Sequence, residues 1–278
     1  MGIYHRPCNL KDALDVLAKQ DVTIAAGCTD LFPATEAQAL SGPVLDITDI
    51  VGMRGISESD VGWRFGAATT WSDIVRAGLP TGFDMLVAAA REVGSVQIQN
   101  AGTIGGNLCN ASPAADGVPA LLALDATVEV ASKRGVRVLA MHDFLTGVRQ
   151  TALEPGEMVV AVHVPRESSA GRSVFRKLGA RKYLVISIAM VAARVLSDGG
   201  VIREAAIAVG ACSPVARRLG EVEAALVGVP LVAATVSDGL VAHALAPISD
   251  VRGSDVYRAD AAGELVRRAL RDLAEGAA

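Results

Sequence analysis

Apolar residues at Leu10, Ala13, Leu14 and Leu17 recur at helical spacing. Asn9 before them has a side chain suited to capping, so the spacing predicts a helix over 10–18. VTIAAG, residues 22–27, is an apolar run closed by glycine and predicts a buried strand. A short helix over 35–40 and a second strand over PVLDIT, 43–48, follow. This alternation marks a small α/β unit. Further on, the pattern predicts a strand over 64–70 and a helix over 71–77 capped by Thr70 or Ser72. Asp84 is a candidate cap for a helix over 84–93 ending at Gly94. An apolar helix over 118–124, a strand over 126–131 and an alternating strand over 156–165 stopped by Pro165 complete this part.

The texture changes at PRESSAGRS, 165–173, which is polar and turn-rich and predicts a domain boundary. Beyond it, two apolar runs, 187–196 and 201–210, flank Asp198-Gly199-Gly200, a sequence suited to a hairpin. Helices are expected around 217–227, 232–244 and 261–274. Strands followed by helices make this last third an α+β lobe, and the chain as a whole an α+β protein.

One stretch has neither period. QIQNAGTIGGNLCNASPAAD, 97–116, carries adjacent glycines and a cluster of short amide and hydroxyl side chains, with its single charge at the end. It reads as a loop. AAGCTD, 25–30, at the end of the first strand, has the same texture. Glycine permits close approach and positive φ, and successive backbone N–H groups can form a concavity that binds phosphate oxygens without Lys or Arg. Thr29, Thr103, Asn107, Asn110 and Ser112 add neutral donors. Two such loops suit a pyrophosphate. No G-x-G-x-x-G follows a strand, and neither a P-loop nor a G-x-S-x-G elbow is present. Asp116 is placed either to accept from a ligand or to cap the helix after it.

Composition narrows the partners. A chain of 278 residues with 51% hydrophobic residues has enough material for two or three lobes. Its net charge of -4 argues against nucleic acid or an anionic membrane as partner. No apolar run reaches about 18 residues, and no signal peptide is visible at the N-terminus, so a cytoplasmic location is the default expectation. Cys8, Cys28, Cys109 and Cys212 are scattered without metal-type or ferredoxin-type spacing, and the four histidines are isolated. The expectation is no metal site in this chain.

On AGCTD, 26–30, and NAGTIGGNLCNASPAAD, 100–116, the chain resembles the FAD-binding (medium) subunits of the molybdenum hydroxylases, the xanthine dehydrogenase and carbon monoxide dehydrogenase group. Cys28 stands where the commoner motif has a second glycine. GEMVVAVHVP, FRKLGARK from Phe175, and ISDVRGSDVYR, 248–258, extend the likeness over essentially the whole chain. The resemblance implies a two-part FAD domain of the vanillyl-alcohol oxidase and molybdenum hydroxylase type, residues 1–57 and 58–167, and a carbon monoxide dehydrogenase flavoprotein-like lobe, 168–278. It implies FAD contacts from Ile24, Ala25, Ala26, Gly27, Cys28, Thr29 and Asp30, and from Gly102, Thr103, Gly105, Gly106 and Asn107. Asn110 and Asp116 would hold hydroxyls or the ring edge, and Val160 would touch the cofactor through its backbone. Lys177 would lie near the flavin ring, where a cation stabilises the reduced anion. Arg181 and Tyr183 would lie near its face. The competing reading of these last three is that they are ordinary exposed side chains. It also implies two partners, a small subunit with two [2Fe-2S] clusters and a large one with a molybdopterin cofactor. The role is then electron transfer through FAD to a final acceptor. A stand-alone FAD reductase or oxidase of the same fold and a non-catalytic nucleotide-binding module are the alternatives, separable by a flavin spectrum.

Overall fold

The structure is a computed structural model that describes residues 3–36 and 40–276. Three larger sheets and one two-stranded hairpin order the described residues. A small parallel sheet has strand Val44–Asp46 between Tyr4–His5 and Thr23–Ala25. Helix Leu10–Leu17 links its strands, and the Asn9 side chain accepts from the Asp12 N–H at 2.9 Å. The short helix expected at 35–40 falls on a stretch whose residues 37–39 lie outside the described ones.

The second sheet is antiparallel, in the order Ile56–Ser59, Gly62–Gly66, Met158–Pro165, Thr127–Ser132, Gly135–Ala140. The strand expected at 64–70 runs instead over Gly62–Gly66, and the chain then turns into a helix. Thr70 is its cap. The Thr70 side chain accepts from Asp73 N–H while Asp73 accepts from Thr70 N–H, a reciprocal box that fixes where the helix Trp71–Arg76 begins. Asp84 does not cap. It is the first residue of helix Asp84–Glu92, entered directly from the 3-10 turn Thr81–Phe83.

The third sheet runs Arg172–Leu178, Ala189–Asp198, Val201–Gly210, Arg217–Arg218. Gly199 and Gly200, at φ +56° and +77°, form the two-residue turn between its long strands. Successive side chains on a strand face opposite ways, and here both faces are buried. Met190, Ala192, Ala206 and Ala208 join the core of the first two-thirds. Ala189, Val191, Ala193, Val195, Ile207 and Val209 join a second core under the C-terminal helices. That is why 187–210 reads as continuous apolar runs rather than as an alternating strand.

Helix Gly117–Ala123 is buried at all seven residues and packs between the first core and this sheet. The C-terminal helices differ in extent from the periodic pattern. Residues 231–244 divide into a 3-10 turn, Leu231–Ala233, and a helix, Asp238–His243. The last helix begins early, at Asp255, because the Ser254 hydroxyl accepts from Tyr257 N–H and starts the turn, and it ends at Glu275.

Candidate FAD site

The first glycine segment leaves strand Thr23–Ala25 as a tight turn. Cys28 has φ +57°, a left-handed conformation that favours glycine. The Cys28 thiol donates to the Ala26 carbonyl at 3.4 Å, and burial pushes it above the usual thiol range. A side chain on Gly27 would meet the Ala101 carbonyl oxygen at 1.9 Å, so only glycine lets this turn touch the end of helix Val96–Ala101. The carbonyls of Cys28 and Asp30 accept from Phe32 and Ala34 at 3.2 and 3.0 Å. Among the described residues, the N–H groups of Gly27, Cys28, Thr29 and Asp30 meet no protein acceptor. A row of unpaired donors around a left-handed residue is an anion-binding concavity.

The second segment is not the loop its composition suggests. It forms two helices, Val96–Ala101 and Ile104–Asn110, joined through Gly102 and Thr103. The amide donors at the start of the second are already used. Ile104 N–H donates to Thr69 O, Gly105 N–H to Ala67 O, Gly106 N–H to the Thr103 hydroxyl and Asn107 N–H to Thr103 O, all within 2.9–3.0 Å. The glycines instead allow close packing. A side chain on Gly105 would meet Ala67 O at 2.7 Å, whereas one on Gly106 meets only the Thr103 hydroxyl and points into open space. What this segment offers is side chains. Asn107 Oδ1 is buried without a hydrogen-bond partner, and such an acceptor calls for a donor that the protein does not supply. Asn110 accepts from Arg149 through its side chain and backbone.

Asp116 neither caps the following helix nor stands free. Its Oδ2 accepts from Lys177 Nζ at 2.7 Å and its Oδ1 from the buried Ser187 hydroxyl at 2.6 Å. Lys177 also donates to Glu92 O at 3.2 Å. Both members of the ion pair are buried, with side chains 6% and 9% exposed. Burial pushes the Asp116 carboxyl above the usual carboxylate range, and the Lys177 ammonium and Ser187 hydroxyl draw it back. Lys177 is therefore a buried, paired cation, not the exposed side chain of the competing reading. Arg181 donates to Leu184 O, and Tyr183 is 70% exposed beneath the Lys182 ammonium. Neither lines the cleft, whose wall in this loop is Leu184, Val185 and Ile186. Val160 sits at a bulge, with its side chain in the core and its carbonyl accepting from Ala67 N–H. Met158 and Val159 line the cleft in its place.

These pieces enclose one cleft of about 770 Å³, walled by the Gly27–Asp30 turn, helix Ile104–Asn110, Asp116, and the 184–186 loop, with Trp71 beneath. The sequence reading missed Ser187, Arg149 and Trp71. None left a local signal; Trp71 is placed only by the fold, its ring within 2.4 Å of where a Gly117 side chain would begin. The residues fit a dinucleotide: free backbone donors for a diphosphate, an orphaned amide oxygen for a ligand donor, and room that a side chain at Gly106 would enter.

Fold and cleft together define a flavin-binding oxidoreductase subunit. Residues 1–167 match the family of FAD binding domains in molybdopterin dehydrogenases, and 174–273 match the carbon monoxide dehydrogenase flavoprotein C-terminal domain. The chain belongs to this family of FAD-binding medium subunits. It is 32% identical over 263 residues to a putative xanthine dehydrogenase FAD-binding subunit of Escherichia coli, covering 92% of this chain and 90% of that one. It is 32% identical over 278 residues to the carbon monoxide dehydrogenase medium chain of Afipia carboxidovorans, covering 96% and 94%. Reconstituted carbon monoxide dehydrogenase from Oligotropha carboxidovorans superposes with a TM-score of 0.90 at 29% identity, over 100% of this chain and 99% of that one.

Proposed function

We propose that this chain is the electron-transferring FAD subunit of a three-component molybdenum hydroxylase. It would receive electrons from the [2Fe-2S] clusters of a small subunit, while a large molybdopterin subunit carries the substrate chemistry. Bound FAD supplies chemistry that accepts electrons singly and yields them in pairs. This chain's own part is to hold and shield it. The N–H groups of Gly27, Cys28, Thr29 and Asp30 hold the diphosphate, with Ile24, Ala25 and Ala26 shaping the approach and Gly102, Thr103, Gly105 and Gly106 forming the facing wall. Asn107 and Asn110 take ligand donors. Asp116, fixed by Lys177 and Ser187, presents a carboxylate edge, and the Val160 bulge sets the depth of Met158 and Val159. Leu184–Ile186 exclude water, with Arg181 and Tyr183 at the outer rim. We assign residues 1–57 and 58–167 to the two parts of the FAD domain and 168–278 to the C-terminal lobe, working in the cytoplasm.

The observation that carries this reading is the row of unpaired N–H groups at 27–30 beside the unpaired Asn107 oxygen. The test is purification of the full chain. The expected product is yellow, releases FAD rather than FMN on denaturation, and contains no iron. A colourless chain that takes up no added FAD would remove the assignment, and stoichiometric iron would remove the division of labour with a cluster-bearing partner.

A further inference from the structure

Arg149 is the one basic side chain that lines the cleft among the described residues. It occupies the two-residue tip, Val148-Arg149, of the hairpin formed by strands Leu145–Gly147 and Gln150–Thr151. Its φ is +58°, a left-handed conformation that is strained for arginine and that glycine adopts freely. The chain holds it there from two sides. Arg149 N–H donates to the carbonyl of Ala111, the residue that ends helix Ile104–Asn110, at 2.9 Å. Its guanidinium lies on Asn110, donating from one nitrogen to the backbone and side-chain oxygens.

The other guanidinium nitrogens meet no protein acceptor, and no carboxylate lies within ion-pair distance, among the described residues. Asp116, the buried carboxylate of the cleft, is already matched by Lys177. The cleft is therefore edged by a solvent-exposed guanidinium with no carboxylate partner, placed by a backbone that would be easier to build with glycine. Arg149 and the Gly27–Asp30 turn line the same cleft.

We infer that Arg149 is a cofactor-binding residue that pairs with the diphosphate of FAD, adding charge to a cradle otherwise made of neutral donors. The inference rests on the reading of the cleft as the FAD site. A guanidinium matches phosphate oxygens with two parallel N–H groups. The ionic part of the affinity then belongs to this side chain, and the 27–30 turn supplies shape.

The test compares the full-length chain with Arg149→Gly and Arg149→Lys, reading FAD and riboflavin affinity by flavin fluorescence over a range of salt. Wild-type FAD affinity should fall with salt. Arg149→Gly should bind FAD roughly tenfold more weakly, with a flatter salt dependence, and Arg149→Lys should recover part of the loss. Riboflavin, which lacks phosphate, should bind all three equally. The thermal midpoint of the apoprotein should not fall in Arg149→Gly, because glycine suits φ +58°. FAD affinity within twofold of wild type, or riboflavin weakened as much as FAD, would overturn the inference and leave the cleft assignment standing. So would a lowered apoprotein midpoint with both affinities lost, since that marks a scaffold role. A wild-type chain that binds neither flavin would bring down the cleft assignment and the arginine with it.

Discussion

Asp116 is the residue on which most of the cleft depends. Its two oxygens hold Lys177 and Ser187, and these are the two feet of the loop that presents Leu184–Ile186. The motif marked Asp116 as a polar residue, and it does line the cleft. Its partners were not legible, because they lie 61 and 71 residues away and nothing local marks them. Asp116→Asn removes the countercharge from a buried ammonium, so it should cost about 3–5 kcal/mol. Pairing it with Lys177→Met should restore much of that, measured by denaturant midpoint at constant slope. A single variant as stable as wild type would show that the pair is not a buried charge couple. Gly106 makes a simpler case. Its missing side chain opens only onto the Thr103 hydroxyl and the cleft, so Gly106→Val should fold normally and purify without flavin. Full FAD occupancy in that variant would contradict the assigned wall.

Among the elements, helix Ile104–Asn110 is where composition misled. Adjacent glycines lower helix propensity by up to about 1 kcal/mol each, and local reasoning therefore favours a loop. The segment is helical because Thr69 and Ala67 supply carbonyls to its first amides and Thr103 caps it. The Thr69 and Ala67 carbonyls come from the turn between strand Gly62–Gly66 and helix Trp71–Arg76, 35 and 38 residues before the amides they accept from, and so lie outside a local window. Thr103→Ala should cost about 1 kcal/mol by freeing the Gly106 amide. It should also weaken FAD binding, because the helix start and the cleft wall are one object. Equal FAD affinity in that variant would separate cap from wall. The long hairpin 189–210 was legible for the opposite reason. Its turn, Gly199-Gly200, states its own geometry, and its apolar runs need no partner to be recognised.

In the whole molecule, paired carboxylates contribute to the response to acid, and the clearest buried one lies at the second sheet. Arg137 donates through two nitrogens to the buried Glu157 carboxylate, at 2.8 and 2.6 Å, and holds its carboxyl below the usual range. A carboxyl depressed in the folded state adds stability above its unfolded pKa, and that stability is lost as pH falls through the folded value. Glu157→Gln should therefore lower the thermal midpoint at pH 7, and its deficit should persist down to about pH 4.5 and shrink only as pH falls below that. A deficit independent of pH would mean that packing, not charge, is lost. The polar texture at 165–173 suggests a place to divide the chain, but nothing local shows how closely the two sides join. Residues after the boundary, Met190, Ala192, Ala206 and Ala208, complete the core built before it, through a sheet covered on both sides. Recombining medium subunits from different relatives is therefore not a matter of exchanging their final hundred residues at a polar seam. A functional hybrid has to inherit the near side of that shared sheet from the same parent as helix Gly117–Ala123, or the graft will meet its host across mismatched surfaces.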